Sequence, residues 1–259
     1  MPTKIVIHSP KGGQGKTTVT ANLAMMLADR GKRVLAVDTC SSKGLQYYFN
    51  IEAEHGICDL LSGTPADGLI GDIRPNLAFL PGGDLVEAER VLMQDKLSPY
   101  LNLEEKMRQC EGRFDFILFD TPPTEDSRLF FAVLYYVDHI IAPIETKRAG
   151  LDMLLRFRTL LDGINPRLRE REGKPPLEIG TVIPYWYGQT LAKTGALEVL
   201  QKEFGPLVTE PIGECTGLIE SWTRGDSLAD RLRGTKSPRP NEARILDVFE
   251  GLVAKLLTN

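Results

Sequence analysis

The stretch Ile5-Val6-Ile7-His8-Ser9-Pro10-Lys11-Gly12-Gly13-Gln14-Gly15-Lys16-Thr17-Thr18 joins a short apolar run to a pattern typical of a helix. Its glycines allow a turn in which backbone N–H groups point inward, and the dipole of the following helix favours an anion. In such a loop a Gly-Lys-Thr sequence places the lysine on the β- and γ-phosphates and the threonine hydroxyl on Mg²⁺. The sequence therefore predicts a phosphate-binding site made of Gly12, Gly13, Gln14, Gly15, Lys16, Thr17 and Thr18.

An alternative interpretation is a glycine-rich turn that carries lysines by coincidence. The usual phosphate-loop pattern has a glycine five residues before Gly15, and this chain has Pro10 there. The strand, the turn, the Gly-Lys-Thr-Thr sequence and the helix nevertheless follow one another in the required order, which favours phosphate binding. The loop also carries an additional lysine, Lys11, five residues before Lys16.

The composition is that of an ordinary globular chain with a slight acidic excess. Of its 259 residues 42% are hydrophobic and 25% charged, and the formal net charge is −4. This length fits one large domain over residues 1–259. No apolar run approaches the roughly 20 residues of a membrane span, and no signal peptide is expected because the chain enters a strand at once. A net negative charge does not indicate a nucleic-acid partner, so any DNA contact has to come from a local basic patch.

The four cysteines, Cys40, Cys58, Cys110 and Cys215, are scattered along the chain without a C-x-x-C pair. This pattern predicts reduced thiols in a cytosolic protein and argues against a zinc or iron–sulfur site.

Two further apolar runs end in an aspartate, at residues 33–38 and 114–120. Ligands of a parallel sheet bind at the carboxyl ends of its strands, so Asp38 is expected to face the phosphates. Helical patterns separate the apolar runs. The sequence therefore predicts an α/β fold, a single-domain, mostly parallel twisted sheet with helices on both faces.

The two-lysine loop resembles the deviant Walker A box, K-G-G-x-G-K-T-T, of the ParA/MinD family of P-loop ATPases, and the resemblance spans residues 4–257. In that family the first lysine reaches across a dimer interface to the partner's nucleotide, a role that the resemblance gives to Lys11. The run that ends in Asp120-Thr121-Pro122-Pro123 resembles the family's Walker B and switch II region, which implies that Asp120 holds Mg²⁺ through a water. The implied cofactors are ATP and Mg²⁺. The resemblance also implies catalytic roles for Lys11, Lys16 and Asp38. It implies metal binding by Thr17, Asp38 and Asp120.

The resemblance breaks after the second strand, where the family has D-x-D-P-Q-G-N and this chain has Asp38-Thr39-Cys40-Ser41-Ser42-Lys43-Gly44. Cys40 replaces the second acid, which positions the attacking water in the family. Because a thiol is a weak acceptor, we expect ATP to bind and hydrolysis to be slow or rearranged. The alternative is that another side chain has taken over the water.

Two weaker resemblances concern adenine and DNA. Residues 210–214 stand where the family packs a strand end on adenine through its backbone, which carries over to Pro211 and Gly213. ParA-like proteins bind DNA without sequence preference through basic residues near this end of the chain, and residues 224–244 hold six basic and three acidic residues. The candidate DNA-binding residues are Arg224, Arg231, Arg233, Lys236 and Arg239. The same composition also fits an ordinary mixed surface.

The leading hypothesis is a ParA-like ATPase that positions cargo such as a plasmid, a chromosome or a protein complex. ATP would close a homodimer that binds nucleoid DNA in the cytoplasm, and a ParB-like or cargo-adaptor protein would trigger hydrolysis. The alternative is a MinD-like membrane or protein-assembly switch without DNA binding. The last predicted helix, residues 241–257, has an apolar stripe, but its polar face mixes acids and bases, which favours packing in the core over binding to a membrane. A third hypothesis, an electron-donating ATPase of the nitrogenase-reductase type, is disfavoured because the cysteines of this chain do not follow the positions of the cluster-binding cysteines in that family.

Overall fold

A computed structural model of the chain describes residues 1–94, 99–168, 173–186, 191–235 and 237–258. The described strands are β1 (Thr3–Ile7), β2 (Val34–Asp38), β3 (Gly71–Arg74), β4 (Leu77–Leu80), β5 (Phe116–Asp120), β6 (His139–Glu145), β7 (Ile179–Trp186) and β8 (Ile212–Gly213). The described α-helices are α1 (Lys16–Asp29), α2 (Gly44–Tyr48), α3 (Ile57–Leu61), α4 (Leu85–Gln94), α5 (Pro99–Glu111), α6 (Arg128–Tyr136), α7 (Arg148–Leu168), α8 (Leu191–Phe204), α9 (Thr216–Arg224), α10 (Leu228–Leu232) and α11 (Pro240–Thr258).

These strands form one sheet in the order β3-β4-β2-β5-β1-β6-β7-β8. Every pairing is parallel except that of β3 with β4 at one edge. Ile7 and Asp38 both pair with Asp120, so the carboxyl ends of the three central strands lie side by side. The predicted mostly parallel sheet is confirmed, and its register brings the two aspartates to the edge where the glycine loop leaves β1.

The sheet has an apolar core on each face. In β2, Leu35 and Val37 pack into one core, while Val34 and Ala36 pack into the other. Helices α3 to α8 cover the first core, and α1, α2, α9, α10 and α11 cover the second. Because the central strands are buried on both sides, their sequences are continuously apolar rather than alternating.

Helix α11 packs on the sheet as its sequence predicts. Its apolar stripe, Ile245, Val248, Phe249 and Leu252, is buried in the second core. Among the described residues, no helix is both long enough and apolar enough to cross a bilayer.

The sequence predicts that the helix opening at Ala149-Gly150-Leu151 ends near residue 162 and that a linker runs from Asn165 to Pro176, whereas helix α7 extends six residues further, to Leu168. The buried side chain of Asn165 explains the difference, because its amide donates to Leu177 O at 3.1 Å and its oxygen accepts from Leu177 N at 2.8 Å. This pair fixes the end of the helix to the chain that leads into β7. Pro166 lies in the last turn of the helix.

Candidate functional site

The loop between β1 and α1 needs glycine at two positions. Gly13 and Gly15 have φ angles of +72° and +80°, in the left-handed region that other residues rarely adopt. A Cβ on Gly15 would also collide with the phenol of Tyr185, which comes from the carboxyl end of β7. A Cβ on Gly12 or Gly13 would meet no atom within 4 Å, so this part of the loop faces open space. The loop is thus closed on the Tyr185 side and open where a phosphate would bind.

Lys16 folds back over the loop from the first turn of α1. Its Nζ donates to the carbonyl oxygens of Ser9 and Lys11, both at 3.2 Å. Burial lowers the pKa of Lys16, whereas the nearby Asp120 and Cys40 act in the opposite direction. The ammonium group is therefore held at the mouth of the loop by weak contacts to carbonyls, which a phosphate oxygen could replace.

The predicted metal ligands meet at the ends of β2 and β5. Thr17 Oγ1 donates to Asp120 Oδ2 at 2.6 Å, whereas Asp120 Oδ1 is buried with no hydrogen-bond partner among the described residues. Asp38 accepts from the backbone N–H groups of Cys40 at 2.8 Å and Leu45 at 3.0 Å. Burial raises the pKa of both carboxyl groups. The hydroxyl and carboxylate oxygens suit Mg²⁺, and the unpartnered Asp120 oxygen fits a role in holding a hydrated ion.

Cys40 lies beside these carboxylates. Its Sγ and one oxygen each of Asp38 and Asp120 all lie within 4.8 Å of one another. Burial first, and then the two carboxylates, raise the pKa of the Cys40 thiol well above its usual range. A neutral thiol thus lies where the resemblance predicts an acid, next to the predicted metal ligands.

A cleft of about 850 Å³ opens in front of the loop. Its lining includes the loop from Gly12 to Thr18, together with Cys40 and Gly213, which the sequence had singled out. Pro211 lies just before β8, outside this lining. Ile219 and Trp222 of α9 also line the cleft, although 69% and 37% exposed respectively. Sequence reasoning missed them, and their spacing of three, which puts them on one face of α9, was the available signal.

Lys11 is not among the described residues that line this cleft. Its side chain is 43% exposed, and its Nζ lies 2.6 Å from Glu145 Oε2 at the end of β6. Lys147 pairs with the other oxygen of Glu145, and these two lysines lower the pKa of Glu145. Gln14 is buried and accepts from the backbone N–H of Glu145, so this loop residue faces β6. The two lysines of the loop therefore lie in different environments.

His8 joins the loop to the residue that follows Asp120, a connection that the sequence did not indicate. Its Nδ1 lies 2.9 Å from Thr121 Oγ1, which donates to Ile7 O at 2.9 Å. The imidazole packs against Phe130 and Phe157, and this burial lowers the pKa of His8. The start of the phosphate loop and the start of the switch region are thus held together by one buried contact.

The predicted DNA-binding residues differ in how free they are. Arg231 is largely buried and pairs with Glu220 at 2.5 Å and Glu242 at 3.1 Å. Arg233 is exposed but pairs with Asp29 and Asp230, while Arg224 and Arg239 are exposed. Lys236 lies outside the described residues. Arg231 has a structural role, and Arg224, Arg233 and Arg239 remain available to solvent.

The mostly parallel sheet has a glycine loop between its first strand and its first helix. A lysine lies over that loop, and a threonine and two aspartates lie beside it. Together these features define a P-loop ATPase. A family model described as "AAA domain" matches residues 2–171. The chain is 31% identical over 210 residues to the chromosome-partitioning ATPase Soj of Thermus thermophilus, with 79% of this chain and 78% of Soj covered. The chain belongs to the ParA/MinD family of P-loop ATPases, whose cofactors are ATP and Mg²⁺.

Other similar proteins agree with this assignment. The maintenance of carboxysome distribution protein A of Synechococcus elongatus is 29% identical over 207 residues, with 76% of this chain and 80% of that protein covered. An ATP complex of a Cyanothece McdA variant superposes with a TM-score of 0.83 at 21% identity, covering 99% of this chain and 96% of that one. A putative plasmid partition protein of Borrelia burgdorferi bound to AMPPNP gives 0.77 at 20% identity, covering 98% and 100%. At these identities the two structures show a shared fold.

Proposed function

We propose that this chain is an ATP-driven homodimeric switch that positions or segregates cargo by binding DNA without sequence preference. The observation that carries the proposal is that the two lysines of the loop have different contacts. Lys16 contacts the carbonyls of its own loop, whereas Lys11 pairs with Glu145 and is not among the described residues that line the cleft. This difference supports assigning Lys16 to the protomer's own nucleotide and Lys11 to that of a second protomer.

Within one protomer, the loop and α1 receive the triphosphate. Gly13 and Gly15 hold the turn open, and Lys16 exchanges its carbonyl contacts for phosphate oxygens. Thr17, Asp38 and Asp120 hold Mg²⁺, which neutralises phosphate charge when it is bound.

Dimerisation would release Lys11 from Glu145. The ammonium would then exchange the nearly buried carboxylate of Glu145 for the phosphates of the partner's nucleotide, a more highly charged acceptor. Because only the ATP-bound partner offers that acceptor, the exchange couples ATP binding to dimer formation.

Hydrolysis would be slow because Cys40 offers the attacking water a neutral thiol rather than a carboxylate. Ser42 is exposed and lines the same cleft, so its hydroxyl is the candidate for orienting the water instead. By contrast, the buried hydroxyl of Thr121 is already bonded to His8 and Ile7. An adaptor protein that orders this region would accelerate the reaction.

The DNA-binding surface is expected to use Arg224, Arg233 and Arg239 rather than the whole predicted set. These three are exposed, whereas Arg231 is committed to Glu220 and Glu242. Contacts to phosphates need charge but little geometry, so affinity should fall steeply with salt.

Fluorescence anisotropy of a labelled duplex of arbitrary sequence tests this proposal. We expect binding with Mg²⁺ and a non-hydrolysable ATP analogue, weak binding with ADP, and loss of binding in an Arg224→Ala/Arg233→Ala/Arg239→Ala variant. Arg108→Ala, which removes an arginine that is 67% exposed on α5, is the matched control and should bind normally. Nucleotide-independent binding, or none in the dimeric state, would contradict the proposal.

A MinD-like switch without DNA binding is the second candidate, and the net charge of −4 favours it. Against it, the apolar stripe of α11 is already buried on the sheet and is not free to enter a membrane. Sedimentation with anionic lipid vesicles and the ATP analogue separates the candidates, because only the MinD-like protein would sediment with the vesicles. In the favoured scheme the protein acts in the cytoplasm on the nucleoid, with a cargo adaptor as partner.

A further inference from the structure

Cys40 Sγ lies between two buried carboxylates at the carboxyl ends of β2 and β5. Asp38 and Asp120 are 0% exposed and Cys40 is 6% exposed, and their nearest donor atoms are all within 4.8 Å of one another. Metal–ligand bonds to oxygen and sulfur are about 2.0–2.3 Å long, so two ligands of one ion lie at most about 4.6 Å apart, and these three groups need at most a small movement to share one.

Asp120 supplies a second, independent indication of a ligand. Its Oδ2 accepts from Thr17, but its Oδ1 is fully buried without a hydrogen-bond partner among the described residues. A buried carboxylate oxygen without a partner is costly, and a bound cation would satisfy it. Cys40 is the member of the cluster that lines the cleft in front of the loop, which gives an ion a route from solvent.

We propose that Asp38, Cys40 and Asp120 form a binding site for a divalent cation with affinity for sulfur, such as Zn²⁺. Binding would break the S–H bond so that both electrons stay on sulfur, which forms the bond to the metal, and the proton leaves to water. Thiolate ligands select zinc-like ions, whereas oxygen ligands alone suit Mg²⁺. The replacement of an acid by Cys40 therefore changes which metal this site prefers.

The consequence is competition between two metals at one site. A sulfur-bound ion would occupy the carboxylates that hold Mg²⁺ in the proposed nucleotide site. Low concentrations of Zn²⁺ would thus stop hydrolysis by the wild-type protein in the presence of excess Mg²⁺. This inference uses the metal-binding residues of the proposed function but not dimerisation or DNA binding.

The other three cysteines provide matched controls. Cys58, Cys110 and Cys215 are buried like Cys40, and Cys215 even lines the same cleft, but none belongs to the cluster with the two carboxylates. A Cys58→Ser/Cys110→Ser/Cys215→Ser variant keeps Cys40 as its single thiol. Cys40→Ser keeps the other three and removes only the sulfur of the cluster.

Titration with Cd²⁺ tests the site, because a cadmium–thiolate bond gives an ultraviolet charge-transfer band. The full chain is titrated without nucleotide, so a negative result would leave the proposed function untouched. We expect the wild type and the triple variant to bind one Cd²⁺ per chain with the same band. Cys40→Ser should lose the band and bind at least about tenfold more weakly. A band of wild-type strength in Cys40→Ser, or its loss in the triple variant, would overturn the proposal.

A measurement on the wild type alone covers the case in which a variant does not fold. Alkylation of each cysteine is followed by peptide mass spectrometry with and without Zn²⁺. We expect Zn²⁺ to slow alkylation of Cys40 and to leave Cys215 unchanged. Equal rates at Cys40 with and without Zn²⁺ would contradict the proposal.

Discussion

Lys11 Nζ lies 2.6 Å from Glu145 Oε2, so the additional lysine of the phosphate loop is held by its own protomer. The carboxylate is nearly buried and also binds Lys147, whereas Lys11 itself is 43% exposed. An ion pair with one exposed partner contributes about 0–1 kcal/mol. The contact can therefore hold Lys11 in the free protomer and still yield to a stronger acceptor.

Glu145→Gln should favour the dimer, because it removes the carboxylate that competes for Lys11. Each dimer breaks two such ion pairs of up to about 1 kcal/mol, one in each protomer, so we expect dimerisation with an ATP analogue to strengthen by up to roughly thirtyfold. Sedimentation equilibrium measures the change. Lys147→Ala is the control, since it leaves the Lys11 contact in place. A weaker dimer in Glu145→Gln would instead assign Glu145 to the interface itself.

Gly15→Ala should abolish nucleotide binding, because the new Cβ has to fit a φ of +80° and would collide with Tyr185. Gly31→Ala is the matched control, with a φ of +75° at the end of α1 and no atom near its Cβ. We expect Gly31→Ala to lose about 1–2 kcal/mol of unfolding free energy but to bind a fluorescent ATP analogue normally. Similar affinities of the two variants would contradict this explanation of the loop.

Cys40→Asp should accelerate ATP hydrolysis in single-turnover measurements at saturating Mg²⁺. A carboxylate can accept a hydrogen bond from the attacking water, and we expect a gain of at least roughly tenfold. Cys40→Ser is the control, since it is similar in size and also neutral. If the aspartate brings no gain, hydrolysis is limited elsewhere, and Ser42 becomes the group to replace.

Asp230→Asn should destabilise the chain mainly above pH 4. Burial alone would raise the pKa of Asp230, but hydrogen bonds from Arg74 and Ser227 lower it to about 2. A lowered pKa contributes stability that is present above the unfolded value of about 4 and is lost as the pH falls towards the folded value.

We therefore expect Asp230→Asn to cost about 1–3 kcal/mol at neutral pH, and the difference from wild type to shrink below pH ~4. Urea unfolding at several pH values provides the measurement. Asp67→Asn, which changes a carboxylate that is 91% exposed, should cost little at any pH. A pH-independent loss in Asp230→Asn would mean that its charge is not the stabilising feature.

The phosphate loop and the sheet could be predicted because their signals are local. Continuous apolar runs ending in Asp38 and Asp120 indicate strands buried on both faces. The glycines between the first apolar run and the helical pattern indicate a tight turn. The end of α7 could not be predicted in this way, because it depends on the contact of Asn165 with Leu177 twelve residues later.

The missed parts of the site depend on contacts between residues far apart in the sequence. Glu145 meets Lys11 across 134 residues, and Tyr185 closes the loop at Gly15 from another strand. A count of basic residues likewise could not show that Arg231 is buried between two glutamates. The scattered cysteines argued against a zinc site, but spacing along the chain cannot show that Cys40 lies beside Asp120 in the cluster on which the proposed cation site rests.

The most direct test of the central claim is the molar mass of the protein with Mg²⁺ and a non-hydrolysable ATP analogue, measured by size-exclusion chromatography with light scattering. We predict a dimer for the wild type and for Lys202→Ala, which removes an exposed lysine of α8. Lys11→Ala should stay monomeric while it still binds a fluorescent ATP analogue. A Lys11→Ala protein that dimerises like the wild type, or a wild type that remains monomeric with the nucleotide bound, would contradict the account.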